Sequence, residues 1–368
     1  MADGHAIASL LPAEFALQSF TQIASLWSNY GDVYRLHLTP SIPPQSLPRT
    51  LILKSIHPPS LIDTDESHIR KLLSYAVERW FYHHYASRLP AEVKVAQAYA
   101  TTADDDGNLL LEDVSADYPF PARGSLGKES TLAVMKWLAG FHATFFRVKV
   151  KENPSLVPAP KHWRNETVEG VWKRGLYWYL ETRREELGWM DVDQHALLVP
   201  WVEKVNEAID REIQAYGTLV HGDVKGANII FSRDPYAHRR GKQKVQLASQ
   251  EDIQCALYDF QYVGLGLGTL DLVYFLATST ESNLLSAEMD LLQFYHSHFL
   301  ASLPSHLNSS NTYPFNTFID HWELAVVDWY RFMAGWGFWG NDVWITKRAE
   351  EILSKWNSNP TTWIFNKS

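Results

Sequence analysis

The stretch HGDVKGAN, residues 221–228, packs a histidine, an aspartate, a lysine and an asparagine between two apolar runs that read as strands, Leu219–Val220 before it and Ile229–Phe231 after it. Further on, Asp259 follows the mostly apolar CALY, and far upstream Lys54 stands in the middle of LILKSIH. These are the residue types that phosphoryl transfer needs. Its transition state is loose, so the protein's work is positioning and charge neutralisation. A carboxylate must orient the acceptor hydroxyl, hard oxygen ligands must hold Mg²⁺, and a cation must meet the nucleotide phosphates. Asp223, Asn228 with Asp259, and Lys54 supply these groups. An unperturbed aspartate is ionised near neutrality, so Asp223 suits orienting a hydroxyl and accepting its proton late.

The elements that would carry these groups fall into two parts. DVYRLHLT (32–39) and LILKSIH (51–57) read as strands joined by a proline-rich connection over 40–48, since proline cannot donate to a sheet. Residues 66–85 have helical spacing at Ile69, Leu72, Leu73, Ala76, Val77, Trp80 and Phe81. Residues 94–115 read as two strands around an Asp/Gly turn. Beyond 128 the pattern predicts helices over 129–147, 166–187, 193–216, 285–301 and 316–336. Short β runs lie within 217–263. GLGLG (264–268) lacks the spacing and context of a dinucleotide-binding loop and reads as a flexible turn. The expectation is an α+β chain of two lobes: residues 1–115, a five-stranded sheet with one helix, and residues 116–368, mainly helical.

Composition narrows the partners. The 368 residues carry a net charge of −9, which argues against a general nucleic-acid binder, since that needs a basic face. Cys255 is the sole cysteine, so neither an internal disulfide nor a cysteine metal site is possible. The start of the chain lacks a secretory pattern. The apolar stretch 323–340 contains Asp328 and Arg331 and reads as a buried helix rather than a membrane span. A cytoplasmic protein is expected. The polar stretch 233–252, basic at Arg233, Arg239, Arg240, Lys242 and Lys244, reads as a solvated loop. The 15 Trp and 17 Tyr suit either an aromatic core or an aromatic-lined pocket.

H-x-D-x-x-x-x-N followed by D-F resembles the catalytic and metal-binding loops of the protein-kinase-like fold. HGD and DFQ, with LLLEDVS (109–115), LAGFHATFF (138–146) and DFQYVGLGLGTLDLVYFL (259–276), are similar to the aminoglycoside phosphotransferase and choline-kinase-like branch, and most to its ecdysteroid-kinase-like group. The resemblance implies ATP and Mg²⁺ as cofactors. It implies Asp223 as the catalytic aspartate, Asn228 and Asp259 as metal ligands, His221 as a loop support and Lys225 as a contact of the transferred phosphate. Lys54 would reach the phosphates and Glu78 would pair with it; the plain alternatives are an edge-strand charge and an exposed helix face. Glu112 to Val114 would form the hinge, with backbone groups facing adenine. SNYGDVYRL, with Ser28 and Gly31, would cover the phosphates with fewer glycines than kinases use. Asp271 would cap the following helix and brace the catalytic loop.

Spacing bears on the acceptor. Only 12 residues separate Asp259 from Asp271, too few for the activation segment with which a protein kinase binds a peptide. A small-molecule alcohol is the expected acceptor. The late helices offer Trp322, Glu323, Asp328, Trp329, Tyr330, Trp336 and Trp339, which suit a choline-like amine, a sterol or another lipophilic or aromatic alcohol; Asp328, Trp336 and Trp339 are the candidate contacts. An inactive binding protein on this fold and an AMP-transferring enzyme are the alternatives.

Overall fold

The computed structural model describes residues 4–40, 48–58, 66–101, 107–147, 156–164, 167–237, 252–307, 309 and 311–359. Most of the proline-rich connection, the Asp/Gly turn at 102–106 and the basic positions Arg239 to Lys244 lie outside these residues.

A short helix α1 (Gly4–Ser9) precedes strands β1 (Phe15–Ser25), β2 (Gly31–Pro40) and β3 (Thr50–Ile56), helix α2 (Glu66–His84), and strands β4 (Ala98–Tyr99) and β5 (Asn108–Glu112). The strands form one antiparallel sheet in the order β1-β2-β3-β5-β4. Strand β3 is its centre. Lys54 pairs across with Val33 on one side and Leu109 on the other, so it is not an edge-strand charge. The periodic face of α2 buries Leu73, Val77 and Phe81, and the Phe81 ring stacks on Phe260 at 4.1 Å between centroids. That contact ties the helix carrying Glu78 to the segment carrying Asp259.

The remainder begins with β6 (Phe120–Pro121) and α3 (Lys128–Thr144), then β7 (Leu156–Val157), β8 (Val171–Trp172), α4 (Arg184–Leu187) and α5 (Val202–Tyr216). Strands β9 (Thr218–Val220), β10 (Ile229–Phe231), β11 (Cys255–Leu257) and β12 (Gly264–Gly266) follow. Helices α6 (Gly268–Ser279), α7 (Glu288–Ser302), α8 (Phe315–Trp336) and α9 (Asp342–Ser358) close the chain. Helix α3 packs on α7, and α6 on α8. The fold class is the α+β, protein-kinase-like one read from the sequence. No helix among the described residues is long and apolar enough to cross a membrane.

Three sequence expectations differ from this architecture. The helix expected over 166–187 is mostly absent. Gly175 packs where a Cβ would stand 2.7 Å from the Gly264 nitrogen, Leu176 has φ 130°, and the Leu176 and Tyr177 amides donate to Tyr262 O and Gly222 O, each at 3.2 Å. Tertiary hydrogen bonds override the helical spacing. The helix expected over 193–216 begins only at Val202, after a tight turn that holds Pro200. GLGLG is no flexible turn. Gly264 to Gly266 form β12, buried and antiparallel to β9, and a Cβ on Gly264 would meet Trp172 O at 2.4 Å. The glycines serve close backbone approach rather than mobility.

Most of the aromatic residues resolve in favour of the core. Trp178, Trp201, Trp322, Trp329 and Trp356 are fully buried. Within α8 the two charges noted in the sequence satisfy one another. Arg331 donates to Asp328 Oδ1 at 2.8 Å and to Trp178 O at 3.0 Å. Cys255 lies buried on β11, and burial pushes its thiol well above the ordinary range. Because the thiolate is the reactive form, native protein is expected to resist a colorimetric thiol reagent and to release one equivalent only on denaturation. Rapid labelling of the folded protein would contradict this placement.

Candidate active site

The site is assembled from five separated stretches. Helix α2 and strand β3 bring Glu78 and Lys54 together, with Lys54 Nζ donating to Glu78 Oε2 at 2.6 Å and to Asp259 Oδ1 at 3.2 Å. The alternative of an exposed helix face for Glu78 fails, because the residue is buried. Burial opposes charge on Lys54, but Asp259 and Glu78 outweigh it and hold the amine protonated. Burial pushes the Glu78 carboxyl up to about 7, against the pull of Lys54 and with a further push from Asp259. Burial also works against ionised Asp259, and Lys54 overcomes it to lower that carboxyl. The three groups thus form one set, Lys54 and Glu78 buried and Asp259 partly exposed to the cavity, in which a single cation serves two carboxylates.

The HGDVKGAN loop joins β9 to β10. Its shape is held from beneath by Asp271 on α6. Asp271 Oδ2 accepts from the His221 amide at 2.6 Å, and Oδ1 from the Gly222 amide at 2.9 Å. His142 on α3 lies 3.1 Å from the same carboxylate. Asp271 therefore braces the loop as expected, but it does not cap its helix, which starts at Gly268. Gly222 sits at φ +82°, and a Cβ there would meet Tyr262 O at 2.3 Å, so the turn requires glycine. His221 is buried with Nε2 3.1 Å from Tyr258 O and Nδ1 3.3 Å from the Asp223 amide. That pairing defines a neutral ring with its proton on Nε2, and burial keeps its pKa low.

Asp223 is held on both oxygens. Oδ1 accepts from Tyr274 OH at 3.0 Å; Oδ2 accepts from Lys225 Nζ at 2.8 Å and from Asn228 Nδ2 at 3.1 Å. Burial raises the Asp223 carboxyl, with Lys225 opposing. Asn228 also donates from Nδ2 to Asp223 O at 2.9 Å, which turns its Oδ1 the other way. Among the described residues neither Asn228 Oδ1 nor Asp259 Oδ2 has a hydrogen-bond partner. One amide and one carboxylate oxygen are thereby left as hard donors. Mg²⁺ is commonly held by one or two protein oxygens, with water and phosphate completing the shell, and the pair fits it.

A cavity of about 820 Å³ is lined by Lys54, Glu78, Glu112, Val114, Asp223, Lys225 and Asp259, while Asn228, bonded to Asp223, lies outside that lining. Val114 begins a tight turn after β5; the Glu112 carboxylate is turned to Lys94 at 2.8 Å. Of the stretch expected over the phosphates, 28–36, only Val33 and Arg35 reach the cavity wall; Ser28 and Gly31 do not, and Ile23 to Trp27, just before it, line the wall instead. Ser28 and Asn29 both adopt positive φ, and Ser28 Oγ accepts from Lys71 at 3.0 Å. Gly31 serves the sheet: a Cβ would sit 2.0 Å from Ser55 O. Of the acceptor candidates, Trp336 lines the cavity, whereas Asp328 and Trp339 do not. Asp328 is bound to Arg331, and Trp339 packs edge-on against Trp329. Sequence reasoning missed Tyr274, and it missed Arg70, Tyr177, Arg183 and Tyr262 on the cavity wall. No motif marks these residues; they converge through tertiary packing alone.

An antiparallel sheet followed by a helical body, with a buried lysine–glutamate pair facing a loop that carries Asp and Asn, defines a kinase-like class. The chain belongs to the ecdysteroid kinase-like family, which residues 29–308 match. No curated protein matches it. Among solved structures, it is similar to a choline kinase from Cryptosporidium parvum Iowa II at 10% identity, with 94% of this chain and 93% of that one covered and a TM-score of 0.48. It is similar to a microcompartment-associated aminopropanol kinase at 13% identity, with 98% of each chain covered and a TM-score of 0.44. A Plasmodium vivax ethanolamine kinase matches at 11% identity, covering 91% of this chain and 82% of that one, with a TM-score of 0.45.

Proposed function

We propose that this protein is an ATP- and Mg²⁺-dependent phosphotransferase acting on the hydroxyl of a small molecule. The observation that supports it most is the convergence of Lys54, Asp223 and Asp259 on one cavity, with the free oxygens of Asn228 and Asp259 available to a divalent cation. In this reading residues 1–115 cover the nucleotide, residues 116–368 carry the chemistry, and Glu112 to Val114 form the hinge against adenine. Lys54, fixed by Glu78, neutralises the nucleotide phosphates. Asn228 and Asp259 hold Mg²⁺, which supplies charge compensation for the transferring group. Asp223, pinned by Tyr274, orients the acceptor hydroxyl and takes its proton as the acceptor oxygen bonds to phosphorus and the bond to ADP breaks. Its raised pKa makes it a better late acceptor of that proton than a solvated aspartate. Lys225 lies beside the carboxylate, on the side where the transferred phosphoryl group passes. His221 stays neutral and structural.

The short link from Asp259 to α6 is filled by buried Phe260 and by β12, which leaves little room for an extended peptide. Tyr177, Tyr262 and Trp336 on the wall favour a lipophilic or aromatic alcohol. An amine acceptor of the choline type has less support, because Asp328 is bound to Arg331 and Glu323 to Lys355 at 2.8 Å. A panel of alcohols spanning choline, ethanolamine, sterols, sugars, aminoglycosides and hydroxy acids, assayed for ADP release with Mg·ATP, tests the function. Acceptor-dependent ADP release is expected. Pyrophosphate release would instead mark AMP transfer.

A further inference from the structure

The carboxylates of the cavity wall are already matched to cations. Asp113 accepts from Arg35 at 2.7 Å, Glu112 pairs with Lys94 at 2.8 Å, Glu78 and Asp259 share Lys54, and Asp223 holds Lys225. On the aromatic side of the cavity the balance is opposite. Arg70, on α2 two turns before Glu78, makes no hydrogen bond or ion pair among the described residues, and its Nε is buried and unpartnered. Arg183 is buried, donating from Nε to Tyr177 O at 2.8 Å and from Nη1 to Glu186 at 2.9 Å. Its Nη2 has no hydrogen-bond partner among the described residues. Glu66, one turn before Arg70 on the same helix, and Glu186 act on Arg70 only at longer range.

Both guanidinium groups line the same cavity, and charge on Arg70 is disfavoured first by its burial and then by Arg183. Glu186 answers one side of Arg183, whereas Arg70 has no direct counter-ion among the described residues, and such a charge in a partly dry cavity is costly unless an anion joins it. Arg183 lies 5.5 Å and Lys225 5.9 Å from the centre of the Tyr177 ring, and the Tyr274 ring lies 5.6 Å from it. Arg183 is therefore placed near the Asp223 end of the cavity, whose wall Arg70 shares. Arg70 and Tyr262 also line an adjoining cavity of about 360 Å³, so a ligand reaching them has space beyond.

We propose that the Arg70–Arg183 pair binds an anionic group of the acceptor, a carboxylate, sulfate or phosphate, while the acceptor's hydroxyl meets Asp223. The forked donors of arginine suit such oxyanions. The proposal rests on the phosphotransferase reading and names its substrate class: hydroxy compounds already carrying a negative charge, not amine alcohols.

The probes are inorganic sulfate and phosphate, scored as melting-temperature shifts against chloride at equal ionic strength. Wild type, Arg70→Gln and Arg70→Lys are compared, each with Mg²⁺ and a non-hydrolysable ATP analogue already bound. Arg70 makes no internal bond, so its substitution should leave the fold intact, which the unliganded melting temperature checks. Protection of wild type by the oxyanions, with apparent affinity weakened about tenfold or more in Arg70→Gln and partly restored in Arg70→Lys, is expected. Equal protection of Arg70→Gln, or none of wild type, overturns the proposal. So does protection of wild type that vanishes once the nucleotide analogue is bound, because the arginines would then serve nucleotide phosphates. Failure of the analogue itself to stabilise wild type is a separate result, which removes the phosphotransferase reading and the acceptor assignment with it.

Discussion

Replacing Asp223 by Asn is expected to lower phosphoryl transfer by about 10²–10⁴-fold while leaving the melting temperature close to wild type. The carboxylate is the acceptor for Tyr274, Lys225 and Asn228 at 2.8 to 3.1 Å. The amide preserves its shape and one accepting oxygen, so the loop stays folded. What it loses is the charge that orients the acceptor hydroxyl and takes its proton. Lys225 loses its ionic partner at the same time and is left beside the transferred group. Turnover of any alcohol accepted by wild type, read as ADP release, measures the effect. Transfer within about tenfold of wild type would assign the proton to another group and reduce Asp223 to a structural role.

The second large effect is on stability. Asp271 is fully buried, and two backbone amides, His221 and Gly222, donate to it, with His142 at 3.1 Å. Asp271→Ala leaves these donors without an acceptor in a site that water does not reach. Each buried unsatisfied donor costs about 1–3 kcal/mol, so the variant is expected to lose roughly 3–5 kcal/mol, a large share of an ordinary domain's stability. Denaturant unfolding measures it. A loss below about 1 kcal/mol would mean that the loop's conformation is held by its own turn, with Asp271 as a bystander.

How much of this was legible in the sequence depends on whether a residue's neighbours are local. Strand β2 and helix α2 follow their periodicity, because each buries one face, and β3 and β5 read as short apolar runs because they are buried almost throughout. Strand β1 shows no such pattern; it is an edge strand with most of its residues solvated. The aromatic run from Tyr177 to Tyr179 has helical spacing, yet hydrogen bonds to Tyr262 and Gly222 hold it as an irregular wall. Asp223, Asn228 and Lys54 stood out because their types and order are constrained by chemistry. Tyr274 and Arg183 bear on the same site, but the first reads as one more residue of an apolar, buried helix and the second as a charge on a polar segment, and only the packing of α6 and α8 against the 175–186 wall reveals them. Asp328 illustrates the converse. A charge in an apolar helix reads as a site residue, and it proves to be half of an intrahelical pair.

The central claim is that the cluster around Lys54, Asn228 and Asp259 binds a nucleotide through a divalent cation. Thermal unfolding with and without Mg·ATP addresses it most directly, in wild type and in Asp259→Asn. Asn tolerates the positive φ of 69° at this position, so the variant should fold. Wild type should be stabilised saturably, by about 2.7 kcal/mol at a hundredfold excess over Kd. The gain should require Mg²⁺ and should largely vanish in Asp259→Asn. No stabilisation of wild type by Mg·ATP, or the same stabilisation in both proteins, would contradict the account.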